Sequence, residues 1–109
     1  MPKRLLTDLE LMILLAVLRA GDHAYVVPVA RDIEDTTGRV VTRAAIYTAL
    51  ERLESRDLVS SRLGEPTAER GGKAKRYFAL TRAGLASVRA TQRAFTAMWR
   101  GVPELKGQA

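Results

Sequence analysis

From Leu9 to Leu18 almost every position is apolar, so a helix over this stretch has greasy residues on all sides rather than along one stripe. Such a helix must be covered from two directions, which a small domain does with difficulty. Its start is marked by Thr7 with Glu10 three residues on, a capping box, and Leu6 and Leu11 hold the staple positions around the cap. Its end is predicted at Gly21. After a short link, Gly21 to Ala24, the apolar positions Val29, Ala30 and Ile33 predict a second helix. Pro28 fits only its first turn, and Gly38 closes it.

The spacing i, i+3, i+4, i+7 then recurs at Ile46, Ala49, Leu50 and Leu53, with Thr42 as a good N-cap, and predicts a third helix. Only Arg39 to Thr42 separates it from the second, so the pair reads as a helix-turn-helix. Period-two segments follow at Val59 to Leu63 and Arg76 to Leu80, the second with Phe78 and Leu80 facing in and Tyr77 and Ala79 facing out. A last helix is predicted from Thr81 or Arg82 to about Arg100. Leu85, Val88, Phe95, Trp99 and Val102 are spaced as a heptad seam with Gln92 in its one polar slot, and the tail from Gly101 to Ala109 should fray.

The predicted architecture is therefore mainly α with a small two-stranded β-wing: a winged helix-turn-helix over residues 1–81, a C-terminal dimerisation helix over 82–102 and a flexible tail over 103–109. One packing of the seam is on the first helix of the same subunit. Because that helix has apolar surface to spare and the seam runs past the expected edge of the domain, exchange between subunits is the better expectation. Leu11, Leu15, Leu85, Val88, Gln92, Phe95 and Trp99 would form that interface.

The 109 residues fit one domain, which hides roughly 60 to 70% of its unfolded surface on folding. Charge changes the picture more than size does. With 18 Lys and Arg against 12 Asp and Glu, net +6 and a pI near 10.3, the default partners are polyanions. The chain contains no cysteine, which removes disulfides, thiolate metal sites and cysteine nucleophiles. The single histidine, His23, lies in a polar link and is read as solvated or capping, so neither a metal nor another cofactor is expected. No apolar run approaches the roughly 20 residues of a membrane span, and the acidic residues near the N-terminus break any signal pattern; no membrane association and a cytoplasmic location are expected.

If the stripe of the third helix faces inward, Ala44, Tyr47, Thr48, Glu51, Arg52 and Ser55 face outward. Short side chains at Ala44 and Thr48 suit close approach to base edges, where their methyls can meet thymine methyls; Tyr47 and Arg52 flank them, placed for phosphates. Arg43 and the free amides at Thr42 to Ala45 add a positive end. Glu51 reads either as an acceptor for a cytosine amino group or, more simply, as solvated.

Between the two strands, Gly64, Gly71 and Gly72 accompany the cations Arg70, Lys73, Lys75 and Arg76, the make-up of a wing tip that reaches phosphates or a minor groove. If each half of a dimer used Arg43, Arg52, Lys73, Lys75 and Arg76, roughly ten phosphates would be neutralised and binding would be strongly salt dependent. The expected partner is double-stranded DNA. A protein-interaction module on the same scaffold, or general RNA or nucleoid binding, are the rival readings. An enzyme is disfavoured by the lack of clustered carboxylates, a second histidine and a phosphate loop.

The run TRAAIYTALERLESRDLVSS, Thr42 to Ser61, followed by ERGGKAKRYFALTRAG resembles the PadR-like family of winged-helix transcriptional regulators. The likeness extends from Leu9 to the last helix. It implies a homodimeric DNA-binding repressor of the small subgroup, joined through its C-terminal helix, with Thr42, Arg43, Tyr47, Thr48, Lys73, Lys75 and Arg76 on DNA. Family members usually carry glycine where Val26 and Ala44 stand. Small relatives that take flat aromatic effectors at the dimer interface suggest a second role for Phe95 and Trp99, beside the plainer one of filling that interface.

Overall fold

A computed structural model describes residues 4–65 and 74–106. The chain forms helix α1 (Asp8–Ala20), a single 3-10 turn (Gly21–His23), helices α2 (Val26–Thr37) and α3 (Arg43–Ser55), strands β1 (Val59–Leu63) and β2 (Arg76–Leu80), and helix α4 (Arg82–Trp99). The strands pair antiparallel with Val59 opposite Leu80 and Arg62 opposite Tyr77.

The capping box at α1 is present in both directions, Thr7 accepting from the Glu10 N–H and Glu10 accepting from the Thr7 N–H. Glu10 also binds Arg56 from the end of α3 at 2.9 Å and Arg4 at 3.1 Å. Burial alone would raise the Glu10 carboxyl, but the Thr7 amide and the two guanidinium groups outweigh it and hold it below its ordinary value. Pro28 is the third residue of α2, where its missing N–H has no helical partner to lose. Gly38 ends α2 at φ 79°, a left-handed turn suited to a residue without Cβ.

Ile13, Leu14, Val17, Val29, Ile33, Ile46, Leu50, Leu53, Val59 and Phe78 form the centre of one core shared by all four helices and the wing base. The inward stripe of α3 lies as its spacing predicts. A main-chain bond from the Phe78 N–H to the Ala24 carbonyl (2.8 Å) ties β2 to the segment ahead of α2, so the wing base is held on both edges.

α4 divides into two. Gly84, Val88 and Thr91 are buried against the same core as the first three helices, and the Thr91 hydroxyl accepts from the Leu6 N–H at 3.2 Å. Gly84 passes so close to the link between α3 and β1 that a Cβ there would lie 2.0 Å from the Leu58 carbonyl oxygen. Beyond Gln92 the helix leaves the core: Phe95, Met98 and Trp99 are 54%, 79% and 51% exposed. The radius of gyration is 15.9 Å, against about 13 Å for a compact chain of this length, and the longest dimension is 56 Å. Within the tail expected to fray, Pro103–Leu105 form a further 3-10 turn; residues 107–109 lie outside the described part.

Candidate nucleic-acid interface

Ala44, Tyr47, Thr48, Glu51, Arg52 and Ser55 are all exposed on the outer side of α3, as is Arg43 in its first turn. Thr42 caps the helix, its hydroxyl oxygen accepting from the Ala45 N–H at 3.1 Å. That leaves the amides of Arg43 and Ala44 outside the helix's own ladder, which together with the helix dipole favour an anion at this end. Arg43 and Arg52 stand on opposite edges of the exposed face, nine residues and therefore about half a turn apart in angle. Neither makes an ion pair with a carboxylate among the described residues. The surface between them is short and methyl-bearing, with Ala44 and Thr48 at its middle.

The wing base adjoins this face. Ser61, Phe78 and Arg76 project from the side of the ribbon that meets α3, and Arg62 and Tyr77 from the other side, as the register requires. On that other side an alternating stack is built: Arg62 lies 4.7 Å over the Tyr77 ring, Tyr77 meets Tyr25 edge-on at 5.6 Å, and the Lys75 ammonium lies 4.5 Å over Tyr25. In each case it is the cationic head group that lies over an aromatic face. A Cβ at Gly64 would come 2.5 Å from the Tyr77 ring, which would have to shift to admit one.

Two placements differ from expectation. Tyr77, expected to face outward, is half-buried inside this stack. Arg76, expected among the cations that reach phosphate, has its guanidinium turned onto Glu54, Tyr47 and Ser61, because two carboxylates of α3, Glu51 and Glu54, lie within its reach. Arg70 and Lys73, with Gly71 and Gly72, fall outside the described residues. Tyr25, Glu54, Arg62 and Tyr77 were missed as members of the site. Counting the hairpin register would have found the Arg62–Tyr77 pair; nothing local in sequence signals Tyr25 or Glu54.

Of the expected dimer residues, Val88 is buried within its own subunit and Leu11 and Leu85 are half-buried. Leu15, Gln92, Phe95 and Trp99 are exposed. The last two, with Leu11, Leu15, Val102 and Leu105, line an open groove of about 950 Å³ between α1, α4 and the tail. Among the described residues no helix is long and apolar enough to cross a membrane.

Three helices, a two-stranded wing and an exposed third-helix face define a winged-helix DNA-binding protein. The sequence profile described as Transcriptional regulator PadR-like family matches residues 14–90, well over half of the chain, which therefore belongs to the PadR-like family of transcriptional regulators. None of the curated proteins matches in sequence. Among solved structures, a PadR-like transcriptional regulator from Bacillus cereus superposes with a TM-score of 0.71 at 19% identity, over 93% of either chain. A PadR family regulator from Clostridium difficile gives 0.70 at 18% identity over 84% of this chain and 91% of its own. One from Eggerthella lenta gives 0.67 at 23% identity over 94% and 88%. At these identities the likeness establishes the fold.

Proposed function

We propose that this DNA-binding regulator acts as a homodimeric, sequence-specific repressor, two α3 helices reading two half-sites while the distal part of α4 joins the subunits. The observation that carries it is the run Phe95 to Trp99: large apolar side chains on a helix that has left its own core. Fully burying a Phe or Trp contributes roughly 1.5 to 3 kcal/mol, so a symmetric contact using both from each chain supplies several. A two-fold pairing sets the two α3 helices for half-sites one duplex turn apart, about 34 Å. Thr42, Arg43, Ala44, Tyr47, Thr48, Arg52 and Lys75 are the contacts assigned to DNA within the described residues, with Arg70 and Lys73 added from the sequence. Occupying a promoter in this way excludes polymerase, which is repression in its simplest form, and places the protein in the cytoplasm.

The groove beside Phe95 and Trp99 favours a second layer of function, relief of repression by a flat aromatic effector stacked on these rings. Sedimentation at micromolar concentration, with and without duplex, tests the dimer; lone protomers in both would end the proposal. Titrating aromatic compounds against Trp99 fluorescence tests the effector, and no quenching across a broad panel would remove it.

A further inference from the structure

Arg76 opens β2 at the foot of the wing, and each of its three guanidinium nitrogens has a partner. Nε donates to the Ser61 hydroxyl at 3.0 Å, one terminal nitrogen donates to Glu54 Oε1, and the other donates to the Tyr47 hydroxyl oxygen. Ser61 in turn donates to Glu54 Oε2 at 2.7 Å, closing a ring of contacts between β1, β2 and α3. Glu51 stands 3.8 Å from the nitrogen that serves Tyr47, and the guanidinium lies 5.2 Å over the Phe78 ring. The Arg76 and Glu54 side chains are 30% and 32% exposed. For Arg76 to reach a phosphate it would have to abandon Glu54 and leave a half-buried carboxylate without its cation.

Tyr47 feels the consequence. Its oxygen accepts from a cation, so its own proton is directed away from Arg76, and a phenol polarised in this way is the stronger donor. Tyr47 is also among the exposed residues of α3, on the edge shared with Arg43.

Resting on the reading that α3 and the wing bind duplex DNA, we propose that Arg76 is a positioning residue rather than a phosphate contact. Held by Glu54, it fixes the wing base to α3 and turns the Tyr47 hydroxyl outward as a donor to a DNA phosphate. The substitution Glu54→Gln separates the two roles. If Arg76 touched phosphate, removing a nearby negative charge and freeing the guanidinium would tighten binding. If Arg76 positions, the same change loosens the wing and weakens binding.

The test is duplex affinity across a salt series for the wild-type dimer and for Glu54→Gln, Arg76→Gln, Arg76→Lys, Tyr47→Phe and the pair Arg76→Gln with Tyr47→Phe. Glu54→Gln and both Arg76 variants should each weaken binding about tenfold, the lysine included because it keeps the charge but not the three-way fork. The dependence on salt should stay as in the wild type for Arg76→Lys and Glu54→Gln. The paired variant should bind no worse than about the weaker single one, since both changes break one chain of contacts. Tighter binding by Glu54→Gln, wild-type binding by Arg76→Lys, or full additivity in the pair would overturn the proposal. Should Arg76→Gln unfold, Arg76→Lys and Glu54→Gln decide alone. Arg43→Gln guards the underlying reading: it should lower the salt slope by about 0.9 per site lost, and no change there would mean that the α3 face is not the DNA surface at all.

Discussion

The two halves of α4 share one helix and one seam, yet they live in different surroundings. From Gly84 to Thr91 the face that carries Val88 is buried in its own core, close enough to Leu58, just ahead of β1, that a single methyl at Gly84 would collide with its carbonyl. From Phe95 to Trp99 the same spacing presents aromatic rings to open space. A heptad repeat thus says that a face is to be covered, and only the fold says by what: here the subunit covers the first half and, in the function proposed above, a second copy covers the other.

The sharpest way to break this contrast is to charge the distal half. Phe95→Glu with Trp99→Glu should leave a folded monomer with a wild-type helical signal, while duplex affinity falls at least about a hundredfold because the two half-sites are no longer linked; sedimentation and a binding titration check both parts. In the anchored half, Gly84→Ala should act on folding instead. With its Cβ 2.0 Å from the Leu58 carbonyl, either α4 or the backbone at Leu58 must shift, and a loss of about 3 kcal/mol is expected in denaturant unfolding. Thr91→Val keeps the shape but strands the Leu6 N–H, which should cost about 1 to 3 kcal/mol without altering the subunit contact measured on folded protein.

The smallest effect concerns Glu10, which steadies the segment that carries Leu6 under α4. Its carboxyl is held below the ordinary 4.5, so the stability it adds is present above that value and fades as the pH falls through the lowered one. Glu10→Gln should therefore flatten the acid limb of the melting curve below about pH 4.5 by well under 1 kcal/mol, since Arg4 and Arg56 are themselves partly exposed to solvent.

Local rules made much of this legible. The Thr7–Glu10 box, the Thr42 cap, the stripe Ile46, Leu50, Leu53 and the extents of both strands depend on neighbours within a few residues, and the structure has them where the pattern puts them. What escaped was contact across long separations. Arg76 reads as one more cation in a basic run until the fold brings Glu54, 22 positions earlier, against it. Thr91 looks like a neutral position on α4 until Leu6, 85 positions away, donates to it. The winged-helix class was readable, and the exposed face of α3 with it, because one amphipathic stripe determines the other; the division of labour among the wing cations was not, because it depends on which of them finds a carboxylate.

Selection of bound duplexes from a random pool bears most directly on the pairing of two α3 helices. The account predicts enrichment of an inverted repeat whose half-sites are centred about 10 base pairs apart. Enrichment of a single unrepeated motif, or of none, would contradict it.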